Sequence, residues 1–137
     1  MTHILDTDHF SLWEAGHPAV TARVRASMSS LGTSVITVFE VLRGRTAVLN
    51  RRLSSAQTVD AFTRLRKSLT LCAAMPIAEF DATSDSRFSM LKQIPVRIGS
   101  MDLRIAAIAL SAGLVVVTRN RVDFGRVPGL VIEDWSN

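Results

Sequence analysis

The stretch "SMDLRIAAIALSAGLVVVT", residues 100–118, decides the fold class, because a helix in it passes directly into a buried strand. Ser100 stands as the helix cap, an alanine-rich apolar run follows, and Gly113 supplies the stop. "LVVVT" is then a short, uninterrupted β-branched run, the pattern of a parallel strand covered on both faces. Working outward, "LVIEDW" (130–135) reads as a final strand, and "HILD" (3–6) as a first strand that ends at Asp6. From Asp6 the chain passes into a helix through about Ala15, with Gly16 as its stop. Residues 17–30 form a second helix, with Pro18 near its first turn and Val20 and Val24 as apolar positions.

"TSVIT" (33–37) is β-branched and reads as the second strand, and "VFEVLRGRTAVL" turns helical after it. Residues 54–72 carry Val59, Phe62, Leu65, Leu69 and Cys72 at helical spacing, with Arg64 and Lys67 on a polar face. "MPIAEF" (75–80) is a third strand, and Asp81 caps a helix over 81–94. Strands alternating with helices predict an α/β fold with a mainly parallel central sheet of four or five strands.

A chain of 137 residues, 47% hydrophobic, is the size of one compact domain spanning 1–137. Its formal charge is +4, and only Lys67 and Lys92 among the cations are lysines. Guanidinium forks suit phosphate, so an anionic partner fits, although a solvated basic surface accounts for the charge equally well. The single Cys72 excludes an internal disulfide framework, and its apolar setting "SLTLCAAM" marks a buried structural thiol. No signal-like N-terminal segment and no run of 18 apolar residues is present, so a soluble, cytoplasmic protein without membrane contact is expected.

In open α/β sheets ligands gather beyond the carboxyl ends of the strands. Four acids are expected there. Asp6 ends the first strand, Glu40 lies in the helix after the second, Asp102 opens the helix before the fourth, and Asp123 follows the fourth. Each has a bland explanation: Asp6 and Asp8 as helix caps, Asp102 as a favourable charge in a first turn, Asp123 as a turn residue. Glu40, flanked by apolar residues in "VITVFEVLRG", has Arg43 one turn on as its structural partner. A single hard cation shared by the four is the more economical account, because Mg²⁺ requires oxygen ligands from separate segments.

These residues also carry a resemblance. "ILDTD", "SVITVFEVLRG" and "IGSMDLRIAAIALSAGLVVVTRNRVDFGRVPGLVIEDW" resemble the PIN-domain family, specifically the VapC-type toxins of bacterial toxin-antitoxin pairs. The likeness runs from about residue 3 to 135 and is weakest over 48–95. It implies a three-layer PIN-like fold and an endoribonuclease dependent on Mg²⁺ or Mn²⁺. Asp6, Glu40 and Asp102 match the family's acids best. Some relatives carry the fourth acid where this chain has Asn120, others where it has Asp123; Asp123 is assigned here. Thr118 and Asn120 are expected as neutral supporting groups, and Asp8 stands where relatives often have Asn. A cognate VapB-type antitoxin and a homodimer are implied, with Trp13 and exposed parts of residues 20–45 as contact candidates.

An arginine ring would draw RNA to an acidic site that otherwise repels it. Arg43, Arg45, Arg104, Arg119 and Arg121 are its candidates, with Arg64 and Arg66 in the less defined middle. Aromatics are scarce and Tyr is absent, which favours recognition of a shaped RNA such as a tRNA or an rRNA loop. Two other classes stay open. "ILDTDHF" matches the Asp-x-Asp opening of haloacid-dehalogenase-type phosphatases, which also need a lysine near the phosphate. A non-catalytic RNA-binding module would use its acids only as caps and tolerate their amidation.

Overall fold

The computed structural model describes residues 1–137. Five parallel strands form one sheet: β1 (His3–Leu5), β2 (Leu31–Ser34), β3 (Ile77–Ala78), β4 (Val115–Val117) and β5 (Ile132–Glu133). Their order is β3-β2-β1-β4-β5, so the chain builds outward from β1 in one direction and then in the other. The helices are α1 (Thr7–Glu14), α2 (Pro18–Ser27), α3 (Val35–Leu49), α4 (Ser55–Ala73), α5 (Ala82–Leu91), α6 (Ser100–Ala112) and α7 (Arg121–Phe124). The expected α/β class and parallel sheet are present.

Strand alternation sorts the core onto the two faces of the sheet. Ile4 and Val116 join one cluster with Phe88, Ile105, Ile108 and Phe124, from α5, α6 and α7. Leu5 and Val117 join another with Phe10, Val20, Val41 and Cys72, from α1 to α4. Helices on both faces give the three layers. In α6 the alanines at 106, 107 and 109 are fully buried, and their small size lets the helix lie close to the sheet. Gly113 ends α6 at φ 65, a left-handed conformation that costs glycine nothing.

Four local expectations are corrected. The second strand is Leu31–Ser34 rather than 33–37: Ser34 accepts from the Thr37 amide at 3.1 Å and starts α3, so Val35, Ile36 and Thr37 are helical. Gly32 lies in that strand because a side chain there would strike the Pro76 carbonyl. The inward face of α4 is Ala61, Ser68 and Cys72, whereas Val59, Phe62 and Leu69 are exposed. The N-cap of α6 is Gly99, with no side-chain cap; Ser100 is its first helical residue. The segment containing Asp123 forms a one-turn helix, α7, capped by Asn120. No helix is long and apolar enough to cross a membrane.

Candidate active site

The carboxyl edge of the sheet is where the separate elements meet. Asp6 follows β1 directly and is buried; its Oδ1 accepts from the His9 amide at 2.8 Å and so caps α1. The capping explanation of Asp6 is therefore correct as far as it goes, and it occupies only one carboxylate oxygen. Glu40 sits in the second turn of α3, half-buried, and its Oε1 accepts from Thr7 Oγ1 at 2.6 Å. Arg43 does not pair with it and stacks instead over the Phe39 ring at 5.6 Å. α6 runs back antiparallel to the strands, which brings its first turn, with Asp102, to the same edge.

Asp123 is held by Asn120 twice: Asn120 Nδ2 donates to its Oδ2 at 2.9 Å, and its own amide donates to Asn120 Oδ1 at 3.2 Å. Asn120 is fixed in turn because its amide donates to Oγ1 of the buried Thr118 at 2.9 Å. The chain therefore uses the neutral residue at 120 to orient the acid at 123.

Electrostatics couples Asp102 to the other three acids. Asp102 is pushed up to about 6, first by burial and then by the charges of Asp6, Glu40 and Asp123. The partial positive charge of the α6 N-terminus acts in the opposite direction and loses. No arginine or lysine forms an ion pair with any of the four. Caps alone do not explain this: Asp102 caps nothing, and Glu40 lies inside a helix.

Asp8 stands apart. Exposed on α1, it forms a two-pronged pair with Arg119, whose Nε and Nη2 donate at 2.7 and 2.8 Å. Arg119 is thereby committed to a carboxylate, Arg104 stacks 4.2 Å over Phe88, and Arg121 is exposed on α7. The lysine that a phosphatase needs is missing from the edge. Lys67 Nζ donates to the Glu14 carbonyl at the far end of α1, and Lys92 lies over Phe88.

Two residues near the acids escaped the sequence reading. Thr7 orients Glu40, and nothing in its local sequence signals that contact across 33 positions. His9 is fully buried; its Nε2 accepts from the Trp135 amide at 3.2 Å. The ring proton must then sit on Nδ1, 3.7 Å from Asp6 Oδ1. Asp6, Asp8 and His9 bring ligand-type atoms within 4.8 Å of one another, but His9 has no free lone pair and Asp8 is engaged by Arg119. Asp6, Glu40, Asp102 and Asp123 offer only oxygen donors, the type that a hard divalent cation requires.

The model of the PIN domain matches residues 4–130, and the chain belongs to that family. Within it, the chain resembles VapC proteins. It is 26% identical over 140 residues, covering 97% of each chain, to a tRNA(fMet)-specific endonuclease VapC from Shigella flexneri. A protein of the same description from Salmonella typhimurium is 55% identical over 38 residues, 28% of this chain and 29% of that protein. The fold is shared with VapBC of Salmonella typhimurium bound to DNA, at TM-score 0.81, 24% identity and 98% coverage of both chains. It is shared too with VapBC2 of Rickettsia felis bound to a promoter DNA fragment, at TM-score 0.79, 22% identity, and 98% and 99% coverage.

Proposed function

We propose that this chain is an endoribonuclease that hydrolyses RNA phosphodiester bonds at the acidic cluster and acts as the toxin of a type II toxin-antitoxin pair. The observation that carries the reading is Asp102, pushed up to about 6 by burial and by the charges of Asp6, Glu40 and Asp123, which come from separate segments, with no arginine or lysine ion-paired to any of the four. Asp6, Glu40, Asp102 and Asp123 would hold Mg²⁺ or Mn²⁺. Bound there, the ion supplies Lewis-acid activation of water and charge balance for the phosphoryl oxygens. Thr7 holds the Glu40 carboxylate in place, and Asn120, braced by Thr118, does the same for Asp123. The α1 cap fixes one oxygen of Asp6. Arg43, Arg104 and Arg121 are the rim cations for the polyanion; Arg119 joins them only by releasing Asp8.

The relatives described as tRNA(fMet)-specific make a tRNA the first substrate to test. A VapB-type antitoxin is the expected partner, since the similar solved structures are VapBC complexes. Homodimer formation is part of the same reading, supported by the exposed Val35 and Phe39 on α3. The deciding experiment is cleavage of an end-labelled tRNA and rRNA-fragment panel with Mn²⁺, Mg²⁺ or EDTA, beside Asp6→Asn and Asp102→Asn. Metal-dependent cutting at discrete sites, lost in both variants, is the expected outcome; equal cutting in EDTA, or by both variants, overturns the reading.

A further inference from the structure

Away from the acids, α3 and α4 enclose a cavity of about 210 Å³ lined by Arg45, Arg51 and Arg64, with Asp60 as its only acid. Arg45 and Arg64 also line an adjoining cavity of about 390 Å³, where Lys67 and Glu14 join them. Arg45 is neutralised by Glu14 at 3.2 Å, and Lys67 Nζ reaches the Glu14 carbonyl. Arg51 and Arg64 form no ion pair and no side-chain hydrogen bond, not even with Asp60, one turn before Arg64. Both guanidinium groups are exposed and without partners on one cavity, so their forks are free to take an anion there. Neither cavity has an aromatic lining residue, so a base has nothing to stack on, whereas a phosphate needs only the forks.

We infer that this double cavity is a phosphodiester-binding site that takes the RNA backbone a few nucleotides from the bond that is cut. The placement follows from α3: Glu40 is in its second turn and Arg51 directly follows its C-cap Asn50, roughly 16 Å further along its axis. Substrate reaching the acids is thereby gripped further along by its backbone, which favours a long or folded RNA over a short one. This site rests on the nuclease reading for the identity of its polyanion.

The test has two arms. In EDTA, so that nothing is cut, binding of a labelled tRNA is measured by anisotropy across a salt series. The variants are Arg51→Glu/Arg64→Glu and, as a control of equal charge change on α2 and α5, Arg25→Glu/Arg87→Glu. The expected result is at least a tenfold loss for the first pair, with the salt slope smaller by roughly 2, and a clearly smaller loss for the control. Equal losses, or none, overturn the proposal. In the second arm the arginine Nε–H resonances of the wild-type protein are followed while a short, uncleavable 2′-O-methyl oligoribonucleotide is added. Movement of Arg51 and Arg64 supports the site even if no RNA is ever cut, in which case only the nuclease reading falls. Unmoved resonances in a protein that cuts RNA overturn the site and leave the nuclease standing; an equal response to an oligoglutamate reassigns the cavity to acidic protein segments and overturns it too.

Discussion

The two ends of α1 treat carboxylates in opposite ways. At its last turn Glu14 is buried and has a cation beside it: Ser68 Oγ donates to Oε1 at 2.6 Å, Arg45 lies 3.2 Å from Oε2, which takes no hydrogen bond, and Arg45 Nε donates to Ser68 at 3.0 Å. At its first turn Asp6 is equally buried, yet its neighbours across α3, α6 and α7 are further acids. α3 carries the same contrast, with Glu40 near its start and Arg45 five residues on. A protein that supplies an arginine to a buried acid at one end, and does not at the other, leaves the second group open to the external cation of the proposed function. Glu14 supports the structure; the cluster is where the chain tolerates repulsion.

That contrast is open to measurement. The largest effect is expected on catalysis: Asp6→Asn and Asp102→Asn each lower RNA cleavage by more than about 100-fold, beyond the 10–100-fold typical of outer groups around a metal. Circular dichroism should show both variants folded. The mirror experiment is Glu14→Ala, which strands the Arg45 charge with 22% of its side chain exposed and costs about 2–3 kcal/mol in urea unfolding. Cleavage per folded molecule should survive it; a loss of activity matching that of Asp6→Asn would erase the distinction between the two ends.

Thr7→Val comes next, removing the hydroxyl that holds Glu40, with an expected tenfold or greater loss of Mn²⁺ affinity by calorimetry and little change in melting temperature. The smallest effect is on pH-dependent stability. Asp102 ionises at about 6 in the folded protein against 3.8 normally, so the native state binds the extra proton between those values. Metal-free stability from this group is full below about pH 4 and falls as pH rises to 6. Asp102→Asn in EDTA should then melt a degree or more above wild type at pH 7 and level with it near pH 4. Mn²⁺ should stabilise wild type and narrow or reverse the gap at pH 7.

How far the sequence could be read depends on the range of the forces involved. Capping, glycine stops and β-branched runs are local, and they located β1, β4, α1 and the Gly113 stop of α6 correctly. They misplaced β2 because Val35, Ile36 and Thr37 favour strands by propensity, while the Ser34 cap and the packing of Ile36 turned them helical. In α4 the apolar stripe was sought among large residues, but the tight approach of the Glu14–Arg45–Ser68 network selects the small Ala61 and Ser68 for the inner face. Cys72 was read as a buried structural thiol and is one: burial, with the Glu14 charge, pushes its ionisation up.

For the candidate site the same division holds. Asp6, Glu40, Asp102 and Asp123 could be nominated from the sequence because acids beside strand ends in a parallel sheet converge by topology alone, and in the structure the other three act electrostatically on Asp102. Thr7, His9 and the pairing of Asp8 with Arg119 were not, since each joins residues through space or through a ring orientation that no local pattern encodes. The sequence by itself determined the class of fold and nominated the acids, through short-range periodicity and side-chain chemistry. Only the tertiary structure decided which acids are neutralised and which are left to repel one another, because that depends on which arginine each helix packing brings within a few ångströms.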